Sequence, residues 1–301
     1  MYLFYRRRMQ ILDILLFLLI ILIVIYLCKN FNTSVYHEGF TQREPFSLKE
    51  NDDIYDTFYT AVYNDLYKSD SRSKFECSEI IKFTQPSKTS VILDVGSGTG
   101  HLLNNLTNQG LNAHGLEKSK SMIKQSNAKF PHLNIHEGNA LNPMMFDNGL
   151  FTHICCVDFT IYHIEDKRKF IRNCNNWLLP NGYLVMHLVN KNKYDTTIPA
   201  ANPTEHNPQD FSEERIKKSH INFIDFEYDH DVEFKDDNRV IVKETFVDGL
   251  TKNVRQNENT LIMEDMKEII QLILRSAFIF HAKAIMPRDK EQFIYIFEKQ
   301  L

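Results

Sequence analysis

The amino-acid sequence has few cysteines and no excess of basic residues. Its 301 residues include five cysteines, and 35 lysines and arginines stand against 39 aspartates and glutamates, giving a formal net charge of −4. The cysteines show neither metal-ligand spacing nor the pattern of a disulfide framework, so we expect free, mostly buried thiols and no metal site. An acidic chain lacks the basic face that phosphate binding requires, which argues against a nucleic-acid partner.

An apolar run near the N-terminus, residues 11–28, has the length of a membrane span. Its single charged residue is Asp13, and a helix rising about 1.5 Å per residue would cover about 27 Å, close to the hydrocarbon thickness of a bilayer. A cleaved signal peptide is the alternative, but no small-residue cleavage site follows the run. We therefore expect a basic tail over 1–10, a single-pass transmembrane helix over 11–28 and a linker over 29–53.

A glycine-rich turn is the most informative motif in the remaining domain. Four apolar residues around an acid, over 91–95, are typical of a buried strand. The strand runs into Gly96, Gly98 and Gly100, which permit positive φ and let a ligand approach the backbone. A helix then begins at His101, with its N-terminal N–H groups facing that ligand. The pattern predicts a nucleotide-type binding site.

The spacing of this turn separates two ligand classes. The dinucleotide fingerprint G-x-G-x-x-G needs a glycine where this chain has His101. An acid before the turn would repel a pyrophosphate but would suit a ligand with ammonium and sulfonium charges. Residues 91–100 resemble the first motif of the class I S-adenosylmethionine-dependent methyltransferases. The resemblance implies S-adenosyl-L-methionine as the cofactor, held by Asp94, Gly96, Ser97, Gly98, Thr99 and Gly100.

The second motif of the same family is matched in register. Residues 111–116 predict a strand that ends on Glu117, about twenty residues beyond the glycine turn. An acid at this strand tip can accept two hydrogen bonds from a ribose diol. The segment that follows resembles the family's second motif, and this adds Lys118 and Met122 to the expected cofactor site.

A third strand and turn, residues 132–140, differs from the family pattern at one position. The family usually has Gly-Asp-Ala in this turn, whereas this chain has Gly138, Asn139 and Ala140. An amide side chain can still bond an adenine amino group through its carbonyl. We therefore expect Asn139 and Ala140 to lie against the adenine ring.

Candidates for contact with the methyl acceptor follow the fourth predicted strand, residues 151–158. Ligands bind beyond the carboxyl ends of parallel strands, which selects Asp158, Tyr162 and His163, with Asp158 also expected against the cofactor. His163 is either a general base or a structural residue that caps the next helix. No Pro-Pro follows the strand, so the signature of enzymes that methylate amino groups of DNA bases is absent.

An aromatic stripe precedes the glycine strand. Aromatic and aliphatic residues recur at three- and four-residue spacing over 55–67, which predicts a helix with one aromatic face. A core stripe is the simpler interpretation. In the family a helix at this place often lies over the cofactor, and by that resemblance Tyr59 and Tyr63 are candidate lid residues.

The order of the predicted elements indicates the fold. Alternating strands and helices over 91–189 predict a doubly wound parallel sheet with helices on both faces. Residues 222–263 alternate in β fashion between turn sequences, and we expect an antiparallel insert. By the resemblance to the family, in which inserts at this place often roof the acceptor pocket, the insert is a candidate lid. A helix over 264–277 and a hairpin of 278–285 with 292–298 would complete a seven-stranded Rossmann-like sheet within one domain, 54–301.

The resemblance implies a membrane-anchored enzyme that transfers a methyl group to a small-molecule acceptor. The acceptor would attack the sulfonium methyl in line, and the enzyme would act mainly by positioning the pair and excluding water. Two alternatives stay open from the sequence. One is a non-catalytic cofactor-binding scaffold or regulator at a membrane, and the other is a protein methyltransferase.

Two arguments disagree on the side of the membrane that the domain occupies. Arginines 6, 7 and 8 before the apolar run favour a cytosolic N-terminus, which would send the domain across the membrane. The methyl donor, however, is made in the cytosol, and four cysteines beyond the run show no evident pairing. Because donor supply is a requirement of the reaction, we expect a domain that faces the cytosol.

Overall fold

The structure is a computed structural model that describes residues 16–23, 44–202, 206–236 and 238–301. The chain divides into two compact units, residues 1–39 and 40–301. In the first unit a helix, α1, covers 16–23 and carries exposed apolar side chains. No helix among the described residues is both long enough and apolar enough to cross a membrane. The predicted span, 11–28, lies largely outside those residues and stays a prediction.

The second unit contains strands, helices and short 3-10 turns. Its strands are β1 (Phe46–Glu50), β2 (Val91–Val95), β3 (Asn112–Glu117), β4 (Asn134–Glu137), β5 (Phe151–Cys156), β6 (Leu178–Val189), β7 (Lys218–Asn222), β8 (Phe226–Phe234), β9 (Arg239–Asp248), β10 (Val254–Ile262), β11 (Phe278–Met286) and β12 (Asp289–Lys299). Its helices are α2 (Thr57–Tyr67), α3 (Ser69–Thr84), α4 (His101–Asn108), α5 (Lys120–Lys129), α6 (Lys167–Trp177) and α7 (Met266–Leu274).

A seven-stranded sheet with the order β11-β12-β6-β5-β2-β3-β4 forms the centre of this unit. The pairs from β4 to β6 are parallel, and β12 lies antiparallel between β6 and β11. Strand order reverses at β2, with β3 on one side and β5 on the other, so the carboxyl end of β2 is the topological switch point where such sheets bind ligands. The predicted Rossmann-like sheet and its final hairpin are confirmed.

The glycine turn joins β2 to α4 and is packed tightly against α5. A Cβ atom on Gly100 would lie 2.3 Å from Ser126 Oγ and 2.8 Å from Leu133 Cδ1, and the φ of Gly100 is +81°. Since only glycine fits both the space and the backbone angle, this residue sets how closely α4 approaches α5. Gly100 does not line the switch-point cavity described below, and its tight contacts give it a packing role, while the cofactor contact expected from the sequence stays a prediction.

A second sheet, here called the roof sheet, has the order β1-β10-β9-β8-β7. Its three long strands, β8 to β10, are antiparallel and match the predicted insert over 222–263. Strand β1 pairs parallel with β10 from Phe46 opposite Val254, although it lies within the predicted linker, 29–53, and that part of the prediction is wrong. A five-residue edge strand whose partner lies about two hundred residues away leaves no local pattern to detect.

The roof sheet shares the main hydrophobic core and is not a separable lid. Val232, Val240 and Leu261 of the roof sheet are buried in the same cluster as Leu93 of β2 and Trp177 of α6. Helix α2 packs on the other part of the roof sheet in a cluster of its own. The acceptor side of the molecule is therefore built into the domain.

Candidate functional site

Two adjoining cavities open beyond the carboxyl ends of β2 and β5. The switch-point cavity, of about 620 Å³, is lined by the glycine turn, the end of β3 and the first turns of α3. The roof cavity, of about 350 Å³, lies between α2 and the roof sheet. Six residues line both cavities: Tyr55, Tyr63, Arg72, Asp158, His163 and Asn259. Two ligands bound in these cavities would thus meet at this shared wall.

Glu117 at the end of β3 holds the glycine turn. Its Oε2 accepts a hydrogen bond from the Gly98 N–H at 2.9 Å, and its Oε1 accepts one from the Ser119 N–H at 2.8 Å. Burial raises the pKa of this carboxyl group. The space for a Cβ on Gly98 is open, with the Gly96 carbonyl oxygen 3.9 Å away, but its φ of +52° favours glycine. Each carboxylate oxygen keeps a further lone pair for a ligand beside the turn.

Six acids line the switch-point cavity: Asp52, Glu76, Asp94, Glu117, Asp158 and Glu165. Burial raises the pKa of Glu76 to about 7, and burial with the neighbouring carboxylates holds the pKa of Asp94 well above its ordinary value. Glu76 Oε1 and Asp94 Oδ1 are buried and accept no hydrogen bond from the described residues. The guanidinium of Arg72 pairs with Asp158 and lies 3.7 Å from Glu76 Oε1. The cavity therefore favours a cationic ligand.

Asp158 is presented at the passage between the cavities by an unusual turn. Asp158 and Phe159 both have left-handed backbone angles, with φ of +52° and +62°. Tyr63 donates its hydroxyl to Asp158 Oδ2 at 3.2 Å, and Arg72 binds the same oxygen. The Phe159 N–H, in the same turn, donates a hydrogen bond to Nδ1 of the buried His187 on β6 at 3.4 Å. These contacts hold a backbone conformation that is rare for residues other than glycine.

Most of the residues predicted to hold the cofactor line the switch-point cavity. They are Asp94, Gly96, Ser97, Gly98, Thr99, Glu117, Lys118, Met122, Asn139, Ala140 and Asp158. Lys118 also forms an ion pair with Asp52. The side-chain oxygen Oδ1 of Asn139, the atom expected to contact adenine, accepts a hydrogen bond from the Leu141 N–H at 2.8 Å.

Two predicted site residues lie elsewhere. Tyr59 is buried against the roof sheet, donates its hydroxyl to Glu244 Oε1 at 3.0 Å and lines the roof cavity, not the switch-point cavity. Tyr63, one helical turn further on, is the lid candidate that reaches both cavities. Tyr162 is fully buried in the core, where its hydroxyl accepts the Val189 N–H at 2.9 Å, and it lines neither cavity. Its predicted catalytic role is not supported by this position.

His163 lines both cavities, as a residue in contact with the acceptor would. Burial, with smaller contributions from nearby charges, lowers the pKa of its imidazole to about 4. The ring is therefore neutral at pH 7 and has a free proton-accepting nitrogen, although it is a weak base.

The roof cavity has aromatic walls and a buried polar centre. Glu244 accepts hydrogen bonds from the hydroxyls of Tyr228 at 2.8 Å, Tyr59 at 3.0 Å and Tyr67 at 3.3 Å. Opposite it on β8 lies His230, whose Nδ1 is buried without a hydrogen-bond partner in the described residues. Burial lowers the pKa of His230 to about 4, so this imidazole is neutral.

Sequence reasoning missed several of these residues, though some left a signal. Arg72 and Glu76 are spaced four apart on α3, a pattern that is also typical of a surface ion pair. His230 alternates with Tyr228 and Val232 along β8, which places the three on one face of the strand. Neither pattern by itself distinguishes a cavity wall from a solvated face.

Comparison with known proteins agrees with the methyltransferase resemblance of the sequence. A family model described as a methyltransferase domain matches residues 93–186. A ubiquinone biosynthesis O-methyltransferase of Coxiella burnetii is 30% identical over 104 residues, which are 34% of this chain and 44% of that protein. A dTDP-4-amino-2,3,4,6-tetradeoxy-D-glucose N,N-dimethyltransferase of Saccharopolyspora spinosa is 27% identical over 147 residues, 46% of this chain and 58% of that protein.

A solved structure extends the similarity to most of the domain. The S-adenosylmethionine-dependent methyltransferase of Clostridium acetobutylicum superposes with a TM-score of 0.60 at 17% identity, covering 81% of this chain and 98% of that one. At this identity the superposition shows the fold. The chain spans less than two thirds of the length of the two sequence relatives. Fold, glycine turn and family match agree: residues 93–186 match a methyltransferase domain, and the chain is similar to the class I S-adenosylmethionine-dependent methyltransferases in fold and in its glycine turn.

Proposed function

We propose that this protein transfers a methyl group from S-adenosylmethionine to a small-molecule acceptor bound in the roof cavity. The observation that carries the proposal is the shared wall at Asp158, where an acidic cavity beside the glycine turn meets an aromatic cavity under the roof sheet. S-adenosylmethionine supplies a methyl group that is already activated by its sulfonium charge. The two sequence relatives, whose names indicate small-molecule substrates, support the class of acceptor.

The residues of the chain would act by binding and orientation. Glu117 and the glycine turn are suited to hold the ribose side of the cofactor, and the carboxyl groups of Asp94 and Glu76 balance its positive charges. Tyr63 closes the wall between the cavities and excludes water from the passage. Asp158 lies where it can accept a proton from the acceptor or orient it, without the need for a catalytic triad.

The full-length chain with methyl-labelled S-adenosylmethionine and fractionated cell extract tests this proposal. We expect label in the small-molecule fraction and its loss in Asp158→Asn at retained cofactor binding. Label in polypeptide would favour a protein methyltransferase. Cofactor binding without any transfer would favour a non-catalytic scaffold.

Membrane attachment through residues 11–28 is part of the proposed function. It is supported by the apolar run and by the arginines that precede it, and we propose that the domain faces the cytosol because the donor is made there. Expression of the full-length chain in a glycosylating cell tests the orientation through the sequon at Asn32. We expect a membrane fraction that shows no glycosidase shift, and a shift would place the domain in the lumen.

A further inference from the structure

We infer that the acceptor is an anionic small molecule whose carboxylate or phosphate group is bound by Lys68 and Arg288 at the rim of the roof cavity. This inference rests on the proposed function, because it names the class of acceptor that the same site would take. It is carried by three features of the cavity: two cations at its rim, carboxylates that already accept hydrogen bonds from the protein, and aromatic walls.

The two cations come from different parts of the chain. Lys68 separates α2 from α3, and its Nζ donates to the backbone carbonyl of Asn202 at 2.7 Å. Arg288 is exposed in the turn between β11 and β12. Both line the roof cavity, and neither has a carboxylate partner among the described residues. Burial, followed by the charge of Arg288, lowers the pKa of Lys68, so the two like charges influence each other across the rim.

Four carboxylates line the same cavity, those of Asp158, Asp195, Glu244 and Asp289, and each accepts hydrogen bonds from the protein. Asp195 accepts one from the Thr197 N–H at 2.9 Å. Asp158 is bound by Arg72 and a tyrosine hydroxyl, and Glu244 by three tyrosine hydroxyls and an asparagine amide. Asp289 accepts the Asp195 N–H at 2.7 Å and three further donors. An anion entering the cavity would therefore find cations without a carboxylate partner only at the rim, among the described residues that line the cavity.

The first turn of α3 adds to this preference. Lys68 immediately precedes this 16-residue helix, whose N-terminus has no side-chain cap. Ser71 in the first turn lines the roof cavity. Uncapped N–H groups and the helix dipole favour an anion at this end, beside the two cations.

The interior of the cavity indicates the rest of the acceptor. Its walls include Tyr63, Tyr67, Phe159 and Tyr194, and about 350 Å³ suits a compact small molecule. An acceptor held by its anionic end at the rim would extend its apolar or aromatic body along these rings. Its nucleophilic atom would then point to Asp158 and the switch-point cavity. An amine acceptor, drawn to the buried carboxylates instead, is the contrary outcome.

Calorimetry on the full-length chain saturated with S-adenosylhomocysteine tests the inference with four matched probes. They are 3-phenylpropionate, phenyl phosphate, the neutral 3-phenylpropionamide and the cationic 3-phenylpropylamine. We expect the better of the two anions to bind about tenfold or more tightly than the amide, as charge-assisted hydrogen bonds predict. The comparison of the two anions decides between carboxylate and phosphate.

Variants identify the residues responsible. The double variant Lys68→Gln with Arg288→Gln should lose about tenfold or more in affinity for the preferred anion and keep its affinity for the amide. Lys290→Gln is the matched control, because Lys290 lies two residues beyond Arg288, is exposed and pairs with Asp210 at the surface. It should bind all four probes like the wild type.

The inference is overturned if neither anion binds, if amide or amine binds as tightly as the anions, or if the double variant keeps full anion affinity. Binding of S-adenosylhomocysteine is measured first in every protein. Retained binding of this product without an anion preference would refute the inference alone. A wild-type chain that fails to bind it would refute the proposed function.

Discussion

Replacing Glu76 with glutamine is expected to stabilise the unliganded protein while weakening its affinity for S-adenosylmethionine. Glu76 is 1% exposed, and its Oε1 accepts no hydrogen bond from the described residues. Its neighbouring cation, Arg72, lies 3.7 Å away and is also bound to Asp158. When ionised, this carboxylate lies in a buried place where few contacts offset the loss of water.

The size of the effect follows from the pKa of this group. Burial raises the pKa of Glu76 from 4.5 to about 7. Because the folded-state pKa is raised, the contribution of Glu76 to stability is fully present below pH 4.5 and is lost as the pH rises to about 7. At about 1.4 kcal/mol per pKa unit, ionisation costs on the order of 3 kcal/mol above pH 7. Glutamine removes this cost. The net gain in stability is smaller by the attraction that Arg72 loses when the carboxylate is replaced.

The same substitution removes a negative charge that faces a cationic ligand. We expect the affinity for S-adenosylmethionine to fall about tenfold at pH 8, the equivalent of about 1.4 kcal/mol. The affinity for S-adenosylhomocysteine, which has no sulfonium charge, should change little. The difference between the two ligands isolates the electrostatic part of the effect.

Urea unfolding at pH 8 and pH 5, with calorimetric titration of both ligands at pH 8, measures these quantities. Glu79→Gln is the matched control, since Glu79 lies on the same helix, is partly buried and pairs with the exposed Lys82. The reasoning is refuted if Glu76→Gln destabilises the protein at pH 8. Equal losses of affinity for the two ligands would also refute it.

Four further substitutions test the binding and packing roles of single residues. Gly98→Val should weaken S-adenosylmethionine binding, because its side chain enters the cavity, and should also lower the unfolding midpoint, because the φ of +52° is strained for valine. Gly100→Ala should lower the unfolding midpoint as well, because its Cβ would meet Ser126 Oγ at 2.3 Å. Glu117→Ala removes the acceptor of two backbone N–H groups and should cost about 1.5–3 kcal/mol in calorimetric cofactor affinity. Asp158→Asn should abolish most methyl transfer in the label assay while retaining cofactor binding.

Each of these expectations has an outcome that contradicts it. Native cofactor affinity in Gly98→Val or Glu117→Ala would remove that residue from the site. An unchanged unfolding midpoint in Gly100→Ala would mean that α4 and α5 can separate at little cost. Full turnover in Asp158→Asn would show that the acceptor is activated elsewhere, and His163→Gln would then be the variant to measure.

The central sheet and glycine turn could be predicted because their signals are local. Residues 91–95 form a strand covered on both faces, and such a strand is a continuous apolar run whatever lies around it. Glu117 was identified because its distance from the turn along the chain is set by one helix and one strand. Features fixed by a short stretch of chain are visible in the sequence.

The acceptor side depends on contacts between distant segments and could be predicted only in part. The roof strands were recognised from their alternation, but strand β1 and the core shared with the central sheet were not. The choice between Tyr59 and Tyr63 depends on the rotation of α2 about its axis, which tertiary packing sets. Arg72 could not be predicted as a site residue, because its contact with Asp158 depends on how α3 packs in the folded domain.

The most direct test of this account is the ligand that the switch-point cavity accepts. Calorimetric titration of the full-length chain with S-adenosylmethionine, and separately with NADH, compares a cationic methyl donor with an anionic dinucleotide in one site. The acids around the glycine turn predict saturable binding of one S-adenosylmethionine per chain and no measurable binding of NADH. Preferential binding of NADH would contradict both the electrostatic reasoning and the proposed reaction.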